Sequence, residues 1–121
     1  MRGILIDPLK KTVECVNVEG NLSEIYDLLG VECITIVPLD FSDALYLDDE
    51  GLLVPKNEQA YWRMKGSSQP FAGRGLILGT DEEGDNDDAV SDLKDVKASV
   101  IWIDREAIDP EDYTGFAIYP I

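Results

Sequence analysis

Tyr61, Trp62, Arg63, Phe71 and Arg74 put aromatic rings and guanidinium groups close together along the chain. Rings stack on flat ligands, and a guanidinium fork holds carboxylate or phosphate through paired donors. These residues are therefore a candidate site for an anionic, nucleotide-like small molecule. The alternative is that Trp62 and Phe71 fill the core while the cations pair with neighbouring acids. The second candidate is the acid-rich run Asp81, Glu82, Glu83, Asp85, Asp87 and Asp88 around Gly84 and Asn86. Its carboxylates suit a hard cation, a basic surface on a partner protein, or solvent alone. Spacing argues against an EF-hand: counting back from the loop glycine puts Gly79 first when Gly84 is used, and Tyr46 first when Gly51 is used. No metal site is expected.

Other motifs weaken on inspection. Gly73-Arg74-Gly75-Leu76-Ile77-Leu78 has leucine where a dinucleotide-binding turn needs its third glycine, and an acidic loop rather than a helix follows Gly79. Turns and close packing are the expected roles of these glycines, with Arg74 a lone cation among them. The chain contains no histidine. That removes Ser-His and Cys-His nucleophile pairs and imidazole metal ligands, leaving acid-base chemistry to carboxylate, tyrosine or lysine. Asp48 and Asp49, adjacent in a turn, suit local backbone bonding better than catalysis. Cys15 and Cys33 lie far apart without a CxxC pair and are expected to be buried free thiols. A non-enzymatic protein without cofactor is the expectation.

The elements that must position these residues follow from pattern. Residues 3–6 and 12–18 predict strands of an opening hairpin. Asn21 and Glu24 have capping-box spacing ahead of an amphipathic helix over 22–29, which Gly30 closes. Residues 33–39 are apolar on both alternating faces, which predicts a central strand covered on both sides. A hairpin is expected from 44–47 through the Asp48-Asp49-Glu50-Gly51 turn into 52–54. The segment 58–65 suits helix at its start and strand near Trp62, and 66–70 is a connector. A strand over 75–78, an acidic loop over 81–88, a helix over 89–96 and a strand over 99–103 come next. Asp109-Pro110-Glu111-Asp112 has the form of a helical turn, and 116–119 of an edge strand. The pattern predicts a single α+β domain over 1–121, with a mixed or mainly antiparallel sheet and two short helices.

Composition bounds the partners. The 25 acidic and 10 basic residues give a net charge of -15 on 121 residues, a field that repels nucleic-acid backbones and anionic membranes. A hydrophobic content of 45% is enough to build a core despite the acidity. Asp7-Pro8 interrupts the N-terminus before a signal-peptide core forms, and no apolar run approaches the ~20 residues of a membrane span. A soluble, cytoplasmic protein is expected.

The order of segments is also informative. The strand ending Ile6-Asp7-Pro8, the helix closed by Gly30, the strand 34–39, Asp49-Glu50-Gly51-Leu52 and Phe71-Ala72-Gly73-Arg74-Gly75-Leu76-Ile77-Leu78-Gly79-Thr80-Asp81 together resemble the domain of unknown function 3846 family. The family consists of small acidic proteins of phages, plasmids and other mobile elements. Many members resemble an Asn-Glu-Glu-Gly-Lys form of the hairpin, where this chain has Asp48-Asp49-Glu50-Gly51-Leu52. The family offers no catalytic residues to transfer. The resemblance implies a mobile-element setting, in which small acidic proteins interfere with host machinery or defence. The expected function is an accessory protein that binds a host protein, its acidic face mimicking nucleic acid. A small-ligand module using Tyr61 to Arg74 and a structural or assembly protein are the alternatives.

Overall fold

The computed structural model describes residues 1–39 and 42–107. Strand β1 (Arg2–Asp7) turns into β2 (Thr12–Asn17) to form the opening hairpin. Helix α1 (Leu22–Leu29) is capped at both ends. The Asn21 side chain accepts from the Glu24 amide at 2.9 Å, while Glu24 Oε1 accepts from the amides of Glu19 and Gly20. Gly30 closes the helix at φ 68°, a left-handed conformation that costs glycine little. Then come β3 (Ile34–Pro38), β4 (Asp43–Asp48), 3-10 turns at Gly51–Leu53 and Lys56–Glu58, β5 (Tyr61–Met64), β6 (Phe71–Ala72) and β7 (Gly75–Thr80). Strand β8 (Asn86–Asp87), helix α2 (Leu93–Ser99), β9 (Val100–Ile103) and a 3-10 turn at Arg105–Ala107 complete the described chain.

Two antiparallel sheets result, and with the helices they make an α+β fold. The larger has the order β2-β1-β7-β4-β3 with β8 paired to the end of β7, and the smaller has the order β6-β5-β9. Alternation along the larger sheet divides its side chains between two clusters. Leu76 and Leu78 of β7, with Ala44 and Tyr46 of β4, pack against Ile25 and Leu29 of α1. Ile4 and Ile6 of β1, Leu45 and Leu47 of β4 and Ile77 of β7 face the other way, onto Trp62 and Phe71 of the smaller sheet and Val96 of α2. The larger sheet is thus the middle layer.

Several expectations change. The strand at 33–39 is not central: β3 is an edge, and Ile36 is 43% exposed. Ile34 packs partly against the α1 cluster and Val37 and Leu39 partly against the other, which accounts for apolar residues on both faces without a strand on each side, and Pro38, with no N–H to donate, fits an edge. The expected hairpin into 52–54 is replaced by a 3-10 turn. There the chain leaves the larger sheet, and a Cβ on Gly51 would lie 2.7 Å from the Ala72 carbonyl oxygen. Close approach, not positive φ, explains that glycine. The segment 58–65 resolves as a 3-10 turn followed by β5, and α2 begins later than predicted. Both cysteines are exposed rather than buried. Cys15 lies on edge strand β2 and Cys33 in the bend before β3. The turn expected at Asp109-Pro110-Glu111-Asp112 and the strand expected at 116–119 lie outside the described residues.

Candidate functional site

The predicted cluster of rings and cations is not assembled into a pocket. Trp62 and Phe71 are 0% and 5% exposed, with ring centroids 4.9 Å apart inside the shared core. The indole Nε1 of Trp62 donates to the Gly73 carbonyl at 2.9 Å, and the ring occupies space that Gly75 leaves open, since a Cβ there would be 2.8 Å from it. Arg63 donates to the Ser67 carbonyl at the connector. Arg74 lies elsewhere: its Nε is 3.3 Å from Asp7 Oδ2, and its Nη1 donates to the Leu28 carbonyl. It borders a cleft of about 250 Å³ with Asp48, Gln59 and Gly73. Burial raises the Asp48 carboxyl above its usual range; the Glu50 amide opposes this, and the Glu50 and Asp49 charges add to it. Core packing rather than ligand stacking therefore accounts for Trp62 and Phe71.

The acidic run forms a loop between β7 and β8 at the end of the larger sheet. Asp81 Oδ1 accepts from the amides of Glu83 and Asp85, each at 2.9 Å, and so shapes the turn. Asn86 accepts from the Tyr46 hydroxyl at 2.7 Å and donates to the Gly20 carbonyl at 2.6 Å. Asp88 Oδ1 accepts from the Arg2 amide, and the Arg2 guanidinium donates to the carbonyls of Ala89 and Ser91. Buried Asp43 accepts from the amides of Val90 and Ser91. The loop is fixed at its base. Asp81, Glu82, Glu83, Asp85, Asp87 and Asp88 are exposed, and among the described residues none of them forms a salt bridge. No cluster of three potential ligands able to hold a metal ion occurs among the described residues.

At the opposite end of β1 lies a cleft of about 460 Å³, lined by residues from three elements. The β1–β2 turn supplies Pro8, Leu9 and Lys11; β5 supplies Tyr61; the end of β9 and the turn after it supply Trp102 and Arg105. The turn is held by buried Asp7, whose Oδ1 accepts from the amides of Leu9 and Lys10. The register of β5 on β9 puts Tyr61 opposite Ile103, which brings the tyrosine to the start of the Arg105 turn. Asp104 accepts from the Glu106 amide at 3.0 Å, and Arg105 Nη1 donates to the Asn57 carbonyl at 2.6 Å. Burial raises the Tyr61 phenol above its usual value, and the Arg105 charge opposes that shift. Sequence reasoning placed rings and cations together only between Tyr61 and Arg74. Trp102 and Arg105 carry the same signal three residues apart, and Lys11 is brought to them by the fold alone.

Among the described residues no helix is long and apolar enough to cross a membrane. No curated protein and no solved structure matches the chain. One family model does, described as a domain of unknown function (DUF3846), over residues 1–101. The chain belongs to that family.

Proposed function

We propose that this DUF3846 member is a non-enzymatic binding protein that engages a basic surface on a partner protein through the acidic end of its larger sheet. The observation that carries this is the pairing of a fixed loop base with unpaired carboxylates. Anchors at Tyr46, Arg2 and Asp43 hold the loop, while Glu82, Glu83 and Asp85 stay exposed with no salt bridge among the described residues. A preorganised row of negative charge costs little ordering on binding and complements surfaces built to grip phosphates. The matching partner is a nucleic-acid-handling protein of a host cytoplasm, for which the acidic face substitutes for a phosphate backbone. An accessory or anti-defence role fits such a partner. The absence of histidine in the sequence favours binding over catalysis.

The test is affinity capture from host lysate with the wild type and with the Glu82→Gln, Glu83→Gln, Asp85→Asn triple variant. These side chains have no anchoring bond among the described residues, so the fold is expected to survive. The proposal expects one nucleic-acid-binding protein to be captured, released by added duplex DNA and by salt, and lost with the triple variant. A captured partner indifferent to salt, DNA and the variant overturns it.

A further inference from the structure

We propose that the cleft between the β1–β2 turn and the smaller sheet binds a small, flat aromatic anion, with Lys11 and Arg105 holding its charged group and Trp102 bordering its ring. This inference is independent of the acidic end. Three observations carry it. The first is size: about 460 Å³ falls within the roughly 300–1,000 Å³ of small-molecule sites. The second is composition. In a chain of net charge -15, Lys11 and Arg105 meet at one cleft where Asp104 is the only carboxylate among the described lining residues, and Asp104 accepts from the Glu106 amide. Arg105 uses Nη1 on the Asn57 carbonyl, which fixes the guanidinium, and among the described residues no other side-chain bond of Arg105 competes with a ligand.

The third observation is the backbone of Lys11, at φ 56°. A left-handed residue that is not glycine costs about 1 kcal/mol or more, and this turn position would suit glycine or asparagine better. A lysine there gives up stability at a point where its charge borders a cleft, the pattern expected where local strain serves a site. The acidic loop does not cancel the cleft's attraction. Its Asp88 is bonded to Arg2 at the far end of β1, about 17 Å from Asp7 at ~3.4 Å per residue, whereas screening at physiological salt acts over about 8 Å.

Two sources share the required chemistry: a nucleoside monophosphate and an aromatic carboxylate. The experiment is calorimetric titration of the full chain with AMP, salicylate, adenosine and inorganic phosphate, repeated on Lys11→Gly and Arg105→Gln. The proposal expects AMP or salicylate to bind, and adenosine and phosphate to bind at least about tenfold more weakly, since each lacks half of the recognition. Which of the two anions binds identifies the source. Both variants should lose about tenfold in affinity, while Lys11→Gly also unfolds at a higher temperature than wild type because its strain is relieved. That opposite movement separates a binding role from a structural one. Failure of both anions to bind at millimolar concentration, or binding unchanged in both variants, overturns the proposal.

Discussion

Gly79 lies where the larger sheet meets the acidic loop, and a Cβ there would be 2.1 Å from the Asp88 carbonyl oxygen. The obstacle is backbone, and that backbone is pinned by Arg2 and by the β7–β8 pairing, so it cannot move aside at small cost. Gly79→Ala is expected to destabilise the protein by about 2–4 kcal/mol, read as a lower urea midpoint. At Gly75 the obstacle is side chain rather than backbone, the Trp62 ring at 2.8 Å and Leu45 at 3.0 Å. The close-packing role of these glycines follows from the sequence, where no helix follows the second of them. What they pack against does not, because Gly75 and Trp62 meet only when the second sheet docks. The same docking withdraws Trp62 and Phe71 from any ligand: a side chain suited to stacking on a ligand is equally suited to stacking in a core.

At the scale of elements, β4 carries most of the structural demand. It pairs with β3 and β7, packs residues on both faces, and delivers Asp43 at one end and Asp48 at the other. Asp48 is held in a partly buried place beside Asp49 and Glu50, which keeps its carboxyl above the usual range. With the folded value above the unfolded one, the folded state binds more protons in the window just above the ordinary carboxylate value. Stability from this group is therefore complete at low pH and falls as pH rises through that window. Asp48→Asn keeps an acceptor for the Glu50 amide and removes the charge. Melting curves should show the variant about 1–3 °C more stable at neutral pH and equal to wild type near pH 3. An equal difference at both pH values would assign the effect to something other than charge.

Acidic side chains lie at both ends of the larger sheet. The exposed loop carboxylates lie at the end that holds β8, while Asp7, Asp48 and Asp104 share the other end with Lys11, Arg74 and Arg105. The net charge of -15 still makes the compact state self-repulsive. Raising salt from about 0.01 M to about 0.15 M shortens the screening length from about 30 Å to about 8 Å, which relieves that repulsion. Thermal unfolding is expected about 3–6 °C higher at the greater ionic strength, with sodium sulfate no better than sodium chloride at equal ionic strength if charge alone is responsible. A melting temperature independent of salt would place the acids too far apart to interact. The two proposed surfaces lie at opposite ends of β1, so neutralising one is expected to leave the other intact.

Local signals were enough for the first helix and the opening hairpin, but not for the turn after Asp48 or the capped start of α2. The capping pair Asn21 and Glu24, the closing Gly30, the opening hairpin and the α+β class follow from residue type and spacing, since a cap or a turn is satisfied within a few residues. The family resemblance was also legible, because it rests on the order of those same segments and lies within residues 1–101 that the family model matches. Strand order was not legible. An edge strand with apolar residues on both faces reads like a central one in sequence, and only the fold distinguishes Ile34–Pro38 from Gly75–Thr80. Nor was the cleft, because Lys11 and Arg105 are separated by most of the chain and meet only through the stacking of two sheets. Contacts between residues distant in sequence depend on how whole layers pack, and no window of the sequence contains that information.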